Sequence, residues 1–135
     1  KLSLRSLDPT VRAQLLKRVS EIAIAQAQSL GATAEISHIN VSPVMVNDAW
    51  SVDFAAGIAE TIVSKENVCT DAHPFMGSED FAFMLEANLN GCYLMLGAGD
   101  EPDRRSVHHP GYDFNDNILS TGAVFWCQLA ERYLA

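Results

Sequence analysis

Apolar residues fall at helical spacing in several stretches of this chain and in short alternating or continuous runs between them. After Asp8-Pro9, the residues Val11, Leu15, Val19, Ile22 and Leu30 follow a helical period. Leu16 and Ala23 widen the stripe, while Arg12, Lys17, Arg18 and Glu21 lie mostly off it. Asp8 can cap free N–H groups, Pro9 loses nothing at the first helical position, and Gly31 suits a left-handed C-terminal residue. The pattern therefore predicts a helix over 9–30. Residues 1–7 alternate, with Leu2, Leu4 and Ser6 opposite Ser3, Arg5 and Leu7, and predict a short strand. Residues 32–41 predict a second, with Ala34, Ile36 and His38 facing one way. A strand–helix–strand unit of this size belongs to a larger sheet, because two strands alone are marginal.

Ser42-Pro43 and Asn47-Asp48 punctuate the chain, which places a boundary after residue 43. Asn47 or Asp48 then caps a helix whose apolar face holds Phe54, Ile58, Ile62 and Val63, and Lys65-Glu66-Asn67 ends it. Val68-Cys69-Thr70 is a short strand candidate, 73–77 a loop, and Ser78 the start of a helix. Asn90-Gly91 is a turn, and the apolar run Cys92–Leu96 fits a central strand covered on both faces. Gly97-Ala98-Gly99 leaves its carboxyl end, where sites gather in open α/β sheets. A final helix over 117–133 is apolar nearly all round, as a helix buried on more than one side would be. The expected fold class is α/β.

Composition narrows the function. A chain of 135 residues, 48% hydrophobic and with mean hydropathy +0.05, fits a soluble domain. No apolar run approaches the roughly 18 residues of a membrane span. Lys1 to Arg5 lack the apolar core of a signal peptide, and the missing initiator Met agrees with a fragment. A net charge of −8 argues against nucleic acid, since phosphate contacts need a basic face. The cysteines Cys69, Cys92 and Cys127 suit neither a disulfide framework nor a zinc knuckle. Cys92 and Cys127 lie in apolar runs and are expected to be buried, and the compartment is expected to be the reducing cytoplasm.

Candidate chemistry gathers in Val107-His108-His109-Pro110-Gly111-Tyr112-Asp113-Phe114-Asn115-Asp116. Neutral imidazole is the commonest side-chain ligand for a divalent metal, and Pro110 stiffens the backbone that carries the pair. A solvated loop with two incidental histidines would look the same, and a catalytic zinc needs about three protein ligands. Around 78, a Ser followed by the acids Glu79 and Asp80 is what a helix start favours without any function. The functional alternative is that Gly77 lets the backbone approach a ligand while Ser78 and Glu79 line the pocket floor. His38 reads as a surface residue, and His73 matches no ligand pattern. Neither a GxGxxG nor a P-loop pattern is present.

Three motifs in order carry a resemblance: Ser6-Leu7-Asp8-Pro9 with Arg12, then Met76 to Phe81, then His108 to Asp116. Together they resemble the C-terminal third of metal-dependent amidohydrolases of the hippurate hydrolase, auxin–amino-acid hydrolase and N-acyl-amino-acid deacylase family, related to aminoacylase and carboxypeptidase G. The resemblance implies that residues 1–43 are the second half of a ferredoxin-like lid, which carries the dimer contact, and that 44–135 end the catalytic domain. It implies hydrolysis of N-acyl or N-aroyl amino acids by water activated on zinc, manganese or cobalt. His108 matches the family's C-terminal metal-binding histidine. His109 becomes its neighbour, and Asp116 a group that could orient an imidazole. The other ligands and the general base would lie outside this chain, which would be inactive alone, bind no metal tightly and associate with its own kind through residues 1–41. The competing reading is a non-catalytic α/β module assembling through its first forty residues.

Overall fold

The computed structural model describes residues 1–39, 42–99 and 105–135. Its helices are α1 (Pro9–Ser29), α2 (Ala49–Val63), α3 (Phe81–Ala87) and α4 (Leu119–Leu134), with single 3-10 turns at Lys65–Asn67 and Asp116–Ile118. The chain divides into two compact units, one of residues 1–46 and 73–89, the other of 47–72 and 90–135.

In the first unit α1 begins and ends as its sequence dictates. Asp8 Oδ1 accepts from Val11 N at 2.8 Å, and Pro9 occupies the first turn. At the other end Gly31 takes φ +72°, Ala32 N donates to Ala27 O at 2.9 Å and Gly31 N to Gln28 O at 3.0 Å. That pair of bonds is the Schellman closure, which only a residue at ease with positive φ can complete. Arg12 Nη1 donates to Ser42 O at 2.9 Å, Ser20 Oγ lies 3.0 Å from His38 Nε2, and Arg5 donates to the Met76 carbonyl. The short helix α3 buries Ala82 and Leu85.

The second unit is built on α2 and α4. Asp48 caps α2, its Oδ2 accepting from Ser51 N at 2.8 Å and from Ser51 Oγ at 2.9 Å. Ser51, Ala55 and Ile58 form the buried face of α2, with Ile58 only 1% exposed. Trp50 and Phe54, one turn apart, stack at 5.1 Å, and Tyr133 of α4 meets both rings edge-on. Thr61 Oγ1 meets the Gln128 amide at 3.1 Å further along. Leu96 passes over α4 at Gly122, where an added Cβ would sit 3.6 Å from its Cδ2.

The α/β expectation is overturned. Among the described residues there is no strand, and helices and 3-10 turns carry all the regular structure. Neither the alternating segment 1–7, nor 32–39, nor 68–70, nor the apolar run 92–96 enters a ladder. Residues 40 and 41, the end of the second expected strand, lie outside the described residues. A strand takes its hydrogen bonds from neighbouring strands. Alternation or apolarity marks a segment that would suit a sheet, but it does not supply the neighbour. In 92–96 the side chains Leu94, Met95 and Leu96 are 44%, 74% and 50% exposed, far from the two-sided burial of a central strand.

Two smaller expectations also change. The helix expected at Ser78 starts at Phe81, and the side chain that reaches back is Glu79, whose Oε1 accepts from Phe81 N at 3.4 Å. Helix α4 is apolar nearly all round, yet it buries no residue completely. Cys127 on it is exposed, while Cys92 is half-buried.

Candidate functional site

Two consecutive turns shape the histidine loop. His109 N donates to Ser106 O at 3.1 Å, and Tyr112 N donates to His109 O at 2.9 Å. His108 is the third residue of the first turn and takes φ +70°. A turn with positive φ there usually recruits Gly or Asn, and histidine is among the few other residues enriched in that region. Pro110 and Gly111 are the central residues of the second turn, where Pro's fixed φ is favourable. Arg105 Nη1 donates to Gly111 O at 2.9 Å, and the same guanidinium occupies the space a side chain at 111 would need.

The two imidazoles differ in their surroundings. His109 Nδ1 accepts from Gly111 N at 3.0 Å, so in the neutral ring the proton sits on Nε2. A ligand histidine normally donates its second N–H to an oxygen, and His109 holds an N–H against that nitrogen instead. The His108 ring is exposed and makes no hydrogen bond among the described residues. Asp116 begins the 3-10 turn leading into α4 and is also exposed. Asn115, not Asp116, fixes the loop: its Oδ1 accepts from Asn117 N at 3.1 Å and its Nδ2 donates to Ala98 O at 2.8 Å.

Gly77, Ser78 and Glu79 belong to the other unit. Gly77 and Ser78 are exposed, and Glu79 is half-buried at the start of α3. A Cβ at Gly77 would lie 2.6 Å from the Phe75 ring, itself 80% exposed and free to swing aside. Ser78 caps nothing, so the plain helix-start explanation of that residue does not hold here.

These residues do not fit a metal ion as a complete site. Among the described residues no three His, Cys, Asp or Glu side chains come together in a way that could hold one. The histidine loop supplies one free imidazole where about three protein ligands are needed.

An anchor between α2 and the 91–93 segment was missed by pattern reading. Asn47 Oδ1 accepts from Tyr93 N at 2.8 Å while its Nδ2 donates to Tyr93 O at 3.1 Å. One amide side chain thus takes the place of a neighbouring strand at Tyr93. Asp48 N donates to Gly91 O at 2.9 Å beside it. The available signal was Asn47-Asp48 directly before a helix, which serves equally as a cap or as a turn. Cys92 lies within this anchor, its Sγ donating to Ser51 O at 3.5 Å. Burial raises its thiol pKa, and the Asp48 charge adds to the effect. The Ser51 backbone and hydroxyl bonds lower the pKa of Asp48 itself.

Residues 5–132 match the peptidase family M20/M25/M40. The chain belongs to this family. Among M20/M25/M40-related proteins it is 31% identical to the hippurate hydrolase of Campylobacter jejuni, over 99% of this chain and 34% of that protein. It is 29% identical to IAA-amino acid hydrolase ILR1-like 4 of Arabidopsis thaliana, over 90% of this chain and 28% of the relative. Thermostable carboxypeptidase 2 of Saccharolobus solfataricus is 26% identical over 97% of this chain and 33% of its own length. The chain spans about a third of the length of the curated relatives it matches. No solved structure matches it. These three relatives are named as two hydrolases and a carboxypeptidase.

Proposed function

We propose that this chain is the C-terminal part of a metal-dependent amidohydrolase that cleaves the amide bond of N-acyl or N-aroyl amino acids, and that it is inactive alone. The family match over residues 5–132 carries the reading. The names of its relatives support the substrate class, since hippurate and IAA–amino acid conjugates are both acyl groups joined to an amino acid. In this assignment 1–43 belong to a lid and 44–135 to the catalytic domain. His108 is the ligand this chain contributes to a zinc, manganese or cobalt centre. Support for His108 over His109 comes from the hydrogen bond that already engages His109 Nδ1. Gly77, Ser78, Glu79 and Asp116 are assigned to the pocket lining or to groups behind the ligands. The three cysteines are unpaired, which favours the cytoplasm. Among the described residues no helix is long and apolar enough to cross a membrane.

The test is hydrolysis of hippurate and a panel of acyl-amino acids by the intact protein, after chelation and after adding back zinc, manganese or cobalt. Metal-restored turnover is expected, together with none from the 135-residue chain. His108→Ala is expected to abolish turnover with the fold retained. Activity surviving in His108→Ala and lost in His109→Ala overturns the ligand assignment, and turnover by the isolated chain overturns the fragment reading.

The same reading includes self-association through residues 1–41. Helix α1 buries no residue, and Val11, Ile22 and Leu30 on its apolar stripe are 47%, 56% and 80% exposed. Exposed stripes of this kind favour association. Light scattering across a concentration series is expected to show a dimer or larger species that Val11→Glu with Ile22→Glu disperses. A monomer at every concentration overturns it.

A further inference from the structure

We propose that Arg105 is a specificity residue that receives the free carboxylate of the substrate. The inference rests on the assignment of N-acyl amino acids as substrates, since each of these carries a carboxylate on the carbon next to the scissile amide nitrogen. Arg105 shares its loop with His108 and His109, yet its charge has no acidic partner among the described residues. Asp113 and Asp116 are the acids of the same loop, and neither pairs with it. Among the described residues from 66 to 131 it is the only lysine or arginine, in a chain of net charge −8. A cation in such surroundings attracts an anionic ligand that the rest of the surface repels.

The guanidinium is also held in place. The two turns of the loop, closed by His109 N on Ser106 O and by Tyr112 N on His109 O, bring Gly111 back to Arg105. There Arg105 Nη1 donates to Gly111 O at 2.9 Å. A Cβ at 111 would collide with Nη1, so the absence of a side chain leaves the guanidinium its place. The same Cβ position is 3.5 Å from His109 Nδ1, which puts the guanidinium near that ring, next in the chain to the assigned ligand His108. One N–H is engaged on Gly111 O, while Nε and Nη2 make no hydrogen bond among the described residues. Those two nitrogens present the parallel N–H pair that matches both oxygens of a carboxylate. Arg105 is exposed, so a ligand can reach that edge. A side chain already fixed at one nitrogen loses less freedom on binding than a free one.

The experiment compares the binding of hippurate and of hippuramide, its neutral amide, to the intact protein by calorimetry after chelation, so that turnover does not intervene. The parent is expected to bind hippurate about tenfold more tightly than hippuramide, the scale of one charge-assisted pair. Arg105→Gln is expected to remove that preference by weakening hippurate alone. Arg105→Lys keeps the charge without the planar fork and is expected to retain part of it. Far-UV circular dichroism checks that both variants are folded. A residue that only braced the loop would weaken both ligands alike. No preference in the parent, an undiminished preference in Arg105→Gln, or an equal loss for the two ligands overturns the assignment. Failure of the amidohydrolase reading shows separately. A parent that prefers hippurate, loses the preference in Arg105→Gln and hydrolyses no acyl-amino acid with metal restored keeps the carboxylate site and sinks the assigned reaction.

Discussion

Ser64 offers a test of the backbone that joins α2 to the turn behind it. The residue takes φ 69° and ψ 154°, a region essentially reserved for glycine and costing about 1–3 kcal/mol in any other residue. Its exposed side chain caps nothing. The local hydrogen bonds are made by others: Asn67 N donates to Ser64 O at 3.2 Å, and Asn67 Nδ2 to Val63 O at 2.7 Å. Ser64→Gly therefore removes no side-chain bond of the folded state and relieves the strain. Against this, glycine widens the unfolded ensemble, at a cost of about 0.4–1 kcal/mol. A net stabilisation of about 1 kcal/mol is expected, or roughly 4 °C in the unfolding midpoint for a chain of this size. Thermal and urea unfolding followed by far-UV circular dichroism measure it, with Ser64→Ala as the comparison that removes the hydroxyl and keeps the strain. If Ser64→Gly lowers the midpoint, or if Ser64→Ala raises it equally, the strain argument is refuted.

The remaining predictions concern the same unit. Ile58→Ala empties the most completely buried large side chain and is expected to cost about 3 kcal/mol by urea unfolding. Asp48 has a folded pKa below that of a free carboxylate because of its bonds to Ser51. Its contribution is present above the unfolded pKa and lost as pH falls through the folded one, so Asp48→Asn should flatten the acid limb of a stability–pH curve and leave the neutral region least dependent on pH. Asn47→Ala leaves both backbone groups of Tyr93 without their amide partner, which should cost about 1 kcal/mol and speed alkylation of Cys92 relative to the parent.

The helices were legible because their signals are local. Asp8 and Asp48 sit one residue before an apolar stripe, and each accepts the N–H three residues on, at Val11 and Ser51. Gly31 lies where a left-handed residue closes α1. Every one of these interactions is made within a turn or so of the residue that announces it. At the candidate site the sequence marks only a stiff backbone at Pro110, and the turn from His109 to Tyr112 is seen in the structure. The inverted role of His109 Nδ1 was not readable, since it depends on which way a ring rotates after the turn has formed.

The strands failed for the opposite reason, and Cys92–Leu96 shows it most clearly. An apolar run specifies what should cover its side chains, while the hydrogen bonds that would make it a strand belong to other segments. Here the anchoring bonds at its start come from an asparagine side chain and a helix N-terminus: Asn47 pairs both groups of Tyr93, and Asp48 N reaches Gly91 O. Past Tyr93 that supply stops among the described residues, and Leu94, Met95 and Leu96 keep much of their surface in water. Apolar side chains exposed in this way cost free energy in proportion to their area. The chain spans about a third of the length of its curated relatives. One asparagine side chain thus stands at Tyr93 where a strand would have to, and the run beyond it enters no ladder among the described residues.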